Sequence, residues 1–162
     1  MAHSHPILIV LVLTFSAGAN PSLAVNADMP FPEGPAGYGA KYSAFKILAH
    51  RATIEWMASH KPAFSLVTIH PTFVLGQDAT QTDAAAPGGI NRFVVVSLAT
   101  PPPGKPMVPA NFVDVRDVSL VLIRSLGLEV GKEELVKEVL VAGRKTGWEE
   151  VVAFVKDRYV TE

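Results

Sequence analysis

The apolar positions change period along the chain, and the changes set out its elements. Ile7 to Phe15 is an apolar run, interrupted by Thr14 alone and followed by small residues. Its Ile, Val and Leu content suits a strand buried on both faces of a parallel sheet. The same run also resembles the core of a secretory leader. No Lys or Arg precedes it, as a leader would require, and it is too short to span a bilayer. Residues 19–37 carry four prolines and two glycines and read as a loop. From Tyr38 to His60, apolar Tyr42, Phe45, Leu48, Ala49, Ala52 and Trp56 recur at steps of three and four. That spacing predicts a helix with these residues as its apolar stripe, ended by Lys61-Pro62. Phe64 to Leu75 is β-branched and aromatic, a buried strand that enters a loop at Pro71 and closes at Gly76.

The rest is shorter-ranged. Gln77 to Pro87 is a polar, alanine-rich loop, and Ile90 to Ala99 is a short helix before a proline-rich extended stretch. Asn111 to Val115 is a strand. Asp114 or Asp117 can cap a helix from Val118 to Leu126, with Gly127 as its stop. Glu138 to Ala142 is another strand, and Thr146 with Glu149 makes a capping box that opens the helix Glu149 to Tyr159. Strands alternate with helices, so the class is α/β with a mainly parallel sheet, and no internal repeat is visible.

Composition narrows the function. With 162 residues, 49% hydrophobic and 18% charged, the chain suits one domain with a real core. The net charge of −1 gives no footprint for nucleic acid or an acidic membrane. There are no cysteines, which removes disulfides, thiol nucleophiles and thiolate metal sites. The five histidines, His3, His5, His50, His60 and His70, show no HExxH or other ligand spacing, so no metal site is expected.

One constellation carries chemistry. On a helix, Tyr42 and Lys46 lie four apart on one face. A free phenol titrates near ~10, and a neighbouring cation lowers that value. Such a tyrosine can exchange a proton with a carbonyl or alcohol oxygen. A hydroxyl that polarises the same oxygen completes the site, and Ser16, just after the first apolar run, is such a donor. A YxxxK spacing alone is common on ordinary surface helices, so the flanks decide.

Those flanks are "LTFSAG", "YSAFKILAH", "IHPTFVLG" and "NFVDVRDV", in that order. Together they resemble the extended short-chain dehydrogenase/reductases of the NAD-dependent epimerase/dehydratase superfamily. The subgroup is that of dihydroflavonol, cinnamoyl-CoA and fungal aldehyde or ketone reductases. Its TSSAG-like, YxxSKxxAE-like, PxxVxGP-like and FVDVxDVA-like segments occur in this order, and Ser16 and Tyr42, 26 residues apart, fit its tolerance. The resemblance covers nearly the whole chain from about Pro6. It implies Tyr42 as catalytic acid/base, Lys46 as the residue that lowers its pKa and holds the nicotinamide ribose, and Ser16 on the substrate oxygen. It places Pro71, Thr72 and Val74 against the nicotinamide, and implies NADP, with NAD as the alternative. It also implies a carbonyl of a small or secondary-metabolite substrate, in a cytoplasmic protein. A cleaved leader would instead mean secretion. Asp114, Arg116 and Asp117 read as cap and fold residues. Phe15, Phe45, His50 and Gln77 stand where the family has Ser or Thr, Ser, Glu and Pro.

The resemblance is to the later portion of the family only. No glycine-rich GxxGxxG turn follows a strand in these 162 residues, although such a turn binds the pyrophosphate. The expectation is a single, truncated reductase-like domain with a partial Rossmann-like sheet. Residues 1–76 hold the Ser/Tyr/Lys site and 77–162 the substrate side. Three readings stay open: a fragment of a full reductase, a shortened inactive paralogue or interaction module, or a chain completed by an oligomeric or complementing partner.

Overall fold

A central strand buried at every position organises the structure, a computed structural model that describes residues 7–11, 25, 28–83, 87–99, 106, 110–128 and 135–159. This strand, β2 (Ser65–Pro71), lies between β1 (Ile7–Leu11) and β5 (Val136–Val141) in an all-parallel sheet of order β1-β2-β5. Ile7 pairs with Ser65 and Leu11 with Ile69 on one side. Leu66 pairs with Val136 and Pro71 with Val141 on the other. The first apolar run thus contributes a strand where its composition asks for one, and the class is a partial Rossmann-like α/β fold.

Alternation along β2 sorts its two faces. Val67 and Ile69 are fully buried in the core with Val113, Val118 and Val141. Val121 and Leu122 of α3 (Val115–Ser125) pack on this group. Leu66, Thr68 and His70 point the other way, beneath α1 (Gly34–His60). Helix α1 starts four residues earlier than the periodicity indicated, because a proline sits in its first turn, where a missing N–H costs nothing. Lys61, in the left-handed conformation, ends it and donates its N–H to the Met57 carbonyl.

The buried stripe of α1 differs from the predicted one. Ala44 and Met57 are buried and Ile47, His50 and Ile54 half-buried, whereas Phe45, Ala49, Ala52 and Trp56 are exposed. Apolar residues occur all round this helix, so their period alone does not choose a face; the sheet does. Trp56 instead stacks on His60 and Phe64 at the rim, with ring centroids 4.8 and 6.3 Å away.

The single strand expected from Phe64 to Leu75 is two. At Thr72 the chain leaves the first sheet, and β3 (Phe73–Leu75) pairs in parallel with β4 (Phe112–Asp114). Thr72 N–H donates to Val141 O at 2.9 Å and Phe73 N–H to Asn111 O at 3.0 Å, so the partner changes within one residue. Pro71 therefore ends a strand rather than opening a loop. The ring nitrogen that lacks a proton faces away from β5, beyond Leu11, the last described residue of β1. Gly76 follows β3, where its φ of +154° and the 2.4 Å that would separate an added Cβ from Val115 Cγ1 admit only glycine. Asn91, at the start of α2 (Asn91–Ala99), donates to the Gly76 carbonyl at 2.8 Å.

Of the two possible caps for α3, Asp114 is the one used: its carboxylate accepts from Arg116 N–H at 2.8 Å and pairs with the Arg116 guanidinium. At the end of β5, Gly143 N–H donates to Phe112 O at 3.0 Å and ties the two sheets together. Helix α4 (Trp148–Tyr159) anchors through Trp148, edge-on to Phe112 at 5.7 Å. Its N-terminus differs from the expected capping box. Gly147 carries the first helical carbonyl, and the Thr146 hydroxyl donates to Glu150, which also pairs with Arg144. Among the described residues, no helix is long and apolar enough to cross a membrane.

Two outcomes follow from this packing. An added Cβ at Gly143 would lie 2.2 Å from Phe112 O, so Gly143→Ala should destabilise by about 1–3 kcal/mol, read as a lower urea midpoint at unchanged slope. The Arg116 side chain, then the Arg116 N–H, holds Asp114 down from 3.8 to about 2. The charged cap therefore stabilises fully above pH 3.8 and is lost as the pH falls through about 2. The stability gap between wild type and Asp114→Ala should be constant above that window and close within it, as measured by unfolding at a series of acid pH values.

Candidate functional site

Helix α1 runs antiparallel to β2, since Trp56 meets Phe64 near the start of the strand and His50 meets His70 near its end. Tyr42 lies two turns before His50, about 12 Å further along the axis. It therefore stands past the carboxyl end of β2, the edge at which open α/β sheets bind their ligands. Each step of four residues turns about 40° round the helix. Tyr42, Lys46 and His50 thus form a slowly turning row, the first two at the border of the buried face and the third within it.

The structure brings Tyr42 and Lys46 together. Both are half-buried, and the Lys46 ammonium lies 5.5 Å from the Tyr42 ring centroid and 5.8 Å from that of Phe45. The electrostatics differ from the expectation, however. Burial first, and Tyr38 second, raise the Tyr42 phenol above its ordinary 10.0. Lys46 sits over the ring, and the lowering expected of it is not present in this arrangement. A raised phenol stays protonated through the neutral range, so it can give a proton to an oxygen but does not readily take one.

The other expected residues divide. Pro71 is fully buried at the end of β2. Val74 lies within β3, paired with Val113 and packed on the core. Neither belongs to a loop, because the strand continues in a second sheet past Thr72. Thr72 itself is half-buried, and its hydroxyl oxygen is buried without a hydrogen-bond partner. Buried hydroxyls are normally satisfied, so this one, at the sheet's carboxyl edge, is suited to meet a ligand. Ser16 lies outside the described residues, as does Phe15. Asp114 and Arg116 do what the sequence suggested, capping α3.

A second cluster lies beneath α1 that ligand spacing in the sequence did not reveal. His50 of α1, His70 of β2 and Glu138 of β5 converge, with one donor atom from each within 4.8 Å of the others. Glu138 is the register partner of Thr68, which places it diagonal to His70 on the face under the helix. His50 Nε2 approaches Glu138 Oε1 to 2.6 Å, but off the hydrogen-bonding direction, so the contact is close and misaligned. His70 Nε2 lies 3.0 Å from Thr68 Oγ1 and 3.7 Å from Glu138 Oε1, while its Nδ1 is buried with no partner. Burial first, then His50, hold His70 below its ordinary value against the pull of Glu138, so the ring is neutral at neutral pH.

Known proteins bear on the fold. No protein-family model matches the sequence. The ketoreductase CTB6 of Cercospora beticola is 40% identical over 68 residues, 40% of this chain and 19% of that protein. The ketoreductase azaE of Aspergillus niger is 35% identical over 91 residues, 54% of this chain and 27% of that protein. The matched stretches thus span between 14% and 27% of the length of these and a further ketoreductase. Among solved structures, Gre2 from Candida albicans superposes with a TM-score of 0.56 at 22% identity, over 78% of this chain and 37% of that one. A reductase engineered against substrate inhibition in asymmetric catalysis gives 0.56 at 21%, over 77% and 37%. The motif order, the parallel sheet and these superpositions agree: the chain carries part of the extended short-chain dehydrogenase/reductase type of fold.

Proposed function

We propose that this chain is the acid/base part of an NAD(P)-dependent oxidoreductase that reduces a carbonyl on a small or secondary-metabolite substrate. One observation carries the reading: Tyr42 and Lys46 stand together on α1 past the carboxyl end of β2, where Thr72 holds a buried, unpaired hydroxyl. Ketoreductase is also what the similar proteins are called.

When bound, a nicotinamide dinucleotide supplies the hydride. Tyr42 Oη donates a proton to the oxygen that becomes the alcohol, and its raised pKa keeps that proton in place until the oxygen develops charge. Lys46 would hold the ribose hydroxyls and offset the negative charge left on Tyr42. The Thr72 hydroxyl would bond the nicotinamide side, and Ser16 would serve as second donor to the substrate oxygen. The pyrophosphate cradle has no counterpart in these 162 residues; a longer chain or a complementing partner would supply it. NADPH is the proposed form, with NADH as the alternative.

The alternative reading is a non-catalytic module of the same fold. Titration of the full chain into NADPH and NADH, followed by ketone reduction assays, separates the two. Tyr42→Phe should lower turnover by at least about 100-fold while leaving dinucleotide binding within a few-fold. A folded chain that binds neither dinucleotide, or in which Tyr42→Phe leaves reduction unchanged, establishes the second reading. Since the phenol must be protonated to act as the acid, and is raised above 10.0, reduction should hold constant from neutral pH upward and fall only above pH 10.0. A limb at lower pH that disappears in Tyr42→Phe would show Lys46 acting on the hydroxyl in the working complex.

A further inference from the structure

The cluster of His50, His70 and Glu138 is absorbed neither by the acid/base pair nor by the core. Three elements deliver it: the helix over the sheet, the central strand and its neighbour. Two imidazoles and a glutamate form a donor set that binds zinc with a further position open. A tetrahedral zinc with bonds of roughly 2.0–2.2 Å holds its ligand atoms about 3.3–3.5 Å apart. The separations here, 2.6 Å for His50 to Glu138 and 3.7 Å for His70 to Glu138, bracket that spacing, and the whole set lies within 4.8 Å. Adjustment falls mainly on Glu138, whose side chain is 59% exposed and free to turn.

A second, independent feature points to a ligand. His50 Nε2, the atom that faces Glu138 Oε1 at 2.6 Å, is buried without an aligned hydrogen-bond partner, and His70 beside it is only 6% exposed. Buried polar atoms are usually satisfied, and an unsatisfied imidazole nitrogen aimed into a cluster of donors calls for a reason. The two rings stand edge to face with centroids 4.8 Å apart, so their nitrogens can be directed at a shared point without stacking.

We propose that His50, His70 and Glu138 bind a divalent first-row transition cation, zinc by donor set, that fastens α1 to the sheet. The cation stabilises rather than reacts: about 12 Å of helix separates His50 from Tyr42, too far for it to touch a substrate held by the phenol. Because the ligands come from three elements, an unfolded chain does not present them together, and binding adds to the stability of the folded form.

The test uses the full chain with His3→Ala and His5→Ala, which removes the two histidines near the start that could bind metal by themselves. Zn2+ is titrated by calorimetry and thermal unfolding, and Co2+ by its visible absorption. The expected result is one cation per chain, a higher unfolding temperature in Zn2+, and Co2+ bands of four- or five-coordinate intensity. Glu138→Gln and His50→Asn, each with an unchanged circular dichroism spectrum, should weaken binding at least about tenfold. Glu138 is exposed, so its conservative variant tests the site even if His50→Asn does not fold. Equal affinity in Glu138→Gln, or no thermal shift at about 1 mM Zn2+, overturns the proposal and leaves only a close contact between His50 and Glu138.

Discussion

The parallel pairing of β2 on both edges is the constraint on which the rest depends. Once β1 and β5 flank it, every β2 side chain must be buried on one face or the other. Val67 and Ile69 supply the apolar side that α3 covers, and Leu66 supplies part of the other. Polar Thr68 and His70 share that second face, and burying them requires partners. They take each other at 3.0 Å, and His70 gains His50 and Glu138 as neighbours. The sheet thus places ionisable chemistry beneath α1 and, by its carboxyl edge, sets where Tyr42 and Lys46 emerge.

Much of this was legible in the sequence, for identifiable reasons. Strand and helix order followed from the change between continuous apolar runs and steps of three or four. The α3 cap was reduced to two aspartates, and the motif order indicated the reductase-type fold. What was not legible depended on contacts distant in sequence. The stripe of α1 was misread because apolar residues surround the helix and only the sheet distinguishes Met57 and Ile54 from Trp56 and Ala52. The switch at Thr72 was hidden because both segments are strand-forming and only their partners tell them apart. Likewise, His50, His70 and Glu138 lie far apart in the chain, so no ligand spacing could announce them.

The tyrosine shows a subtler limit. Its spacing from Lys46 correctly indicated proximity, yet proximity did not determine the sign of the pKa shift. Desolvation at the border of the buried face, and then Tyr38, raise the phenol, while the cation rests over the ring. In the proposed reduction, a raised phenol would suit an acid that has to hold its proton until charge develops on the substrate oxygen.

The resting place of Lys46 has a kinetic meaning. Its ammonium sits between an exposed ring, Phe45, and a half-buried one, Tyr42. A cation–π contact at such a site is worth only about 0.5–1 kcal/mol, a few-fold in population. The aromatic pair therefore parks the lysine close to the phenol without confining it there. In the proposed reaction, an anion forming at the hydroxyl would draw Lys46 off the rings, and its charge would need to travel only the width of one side chain.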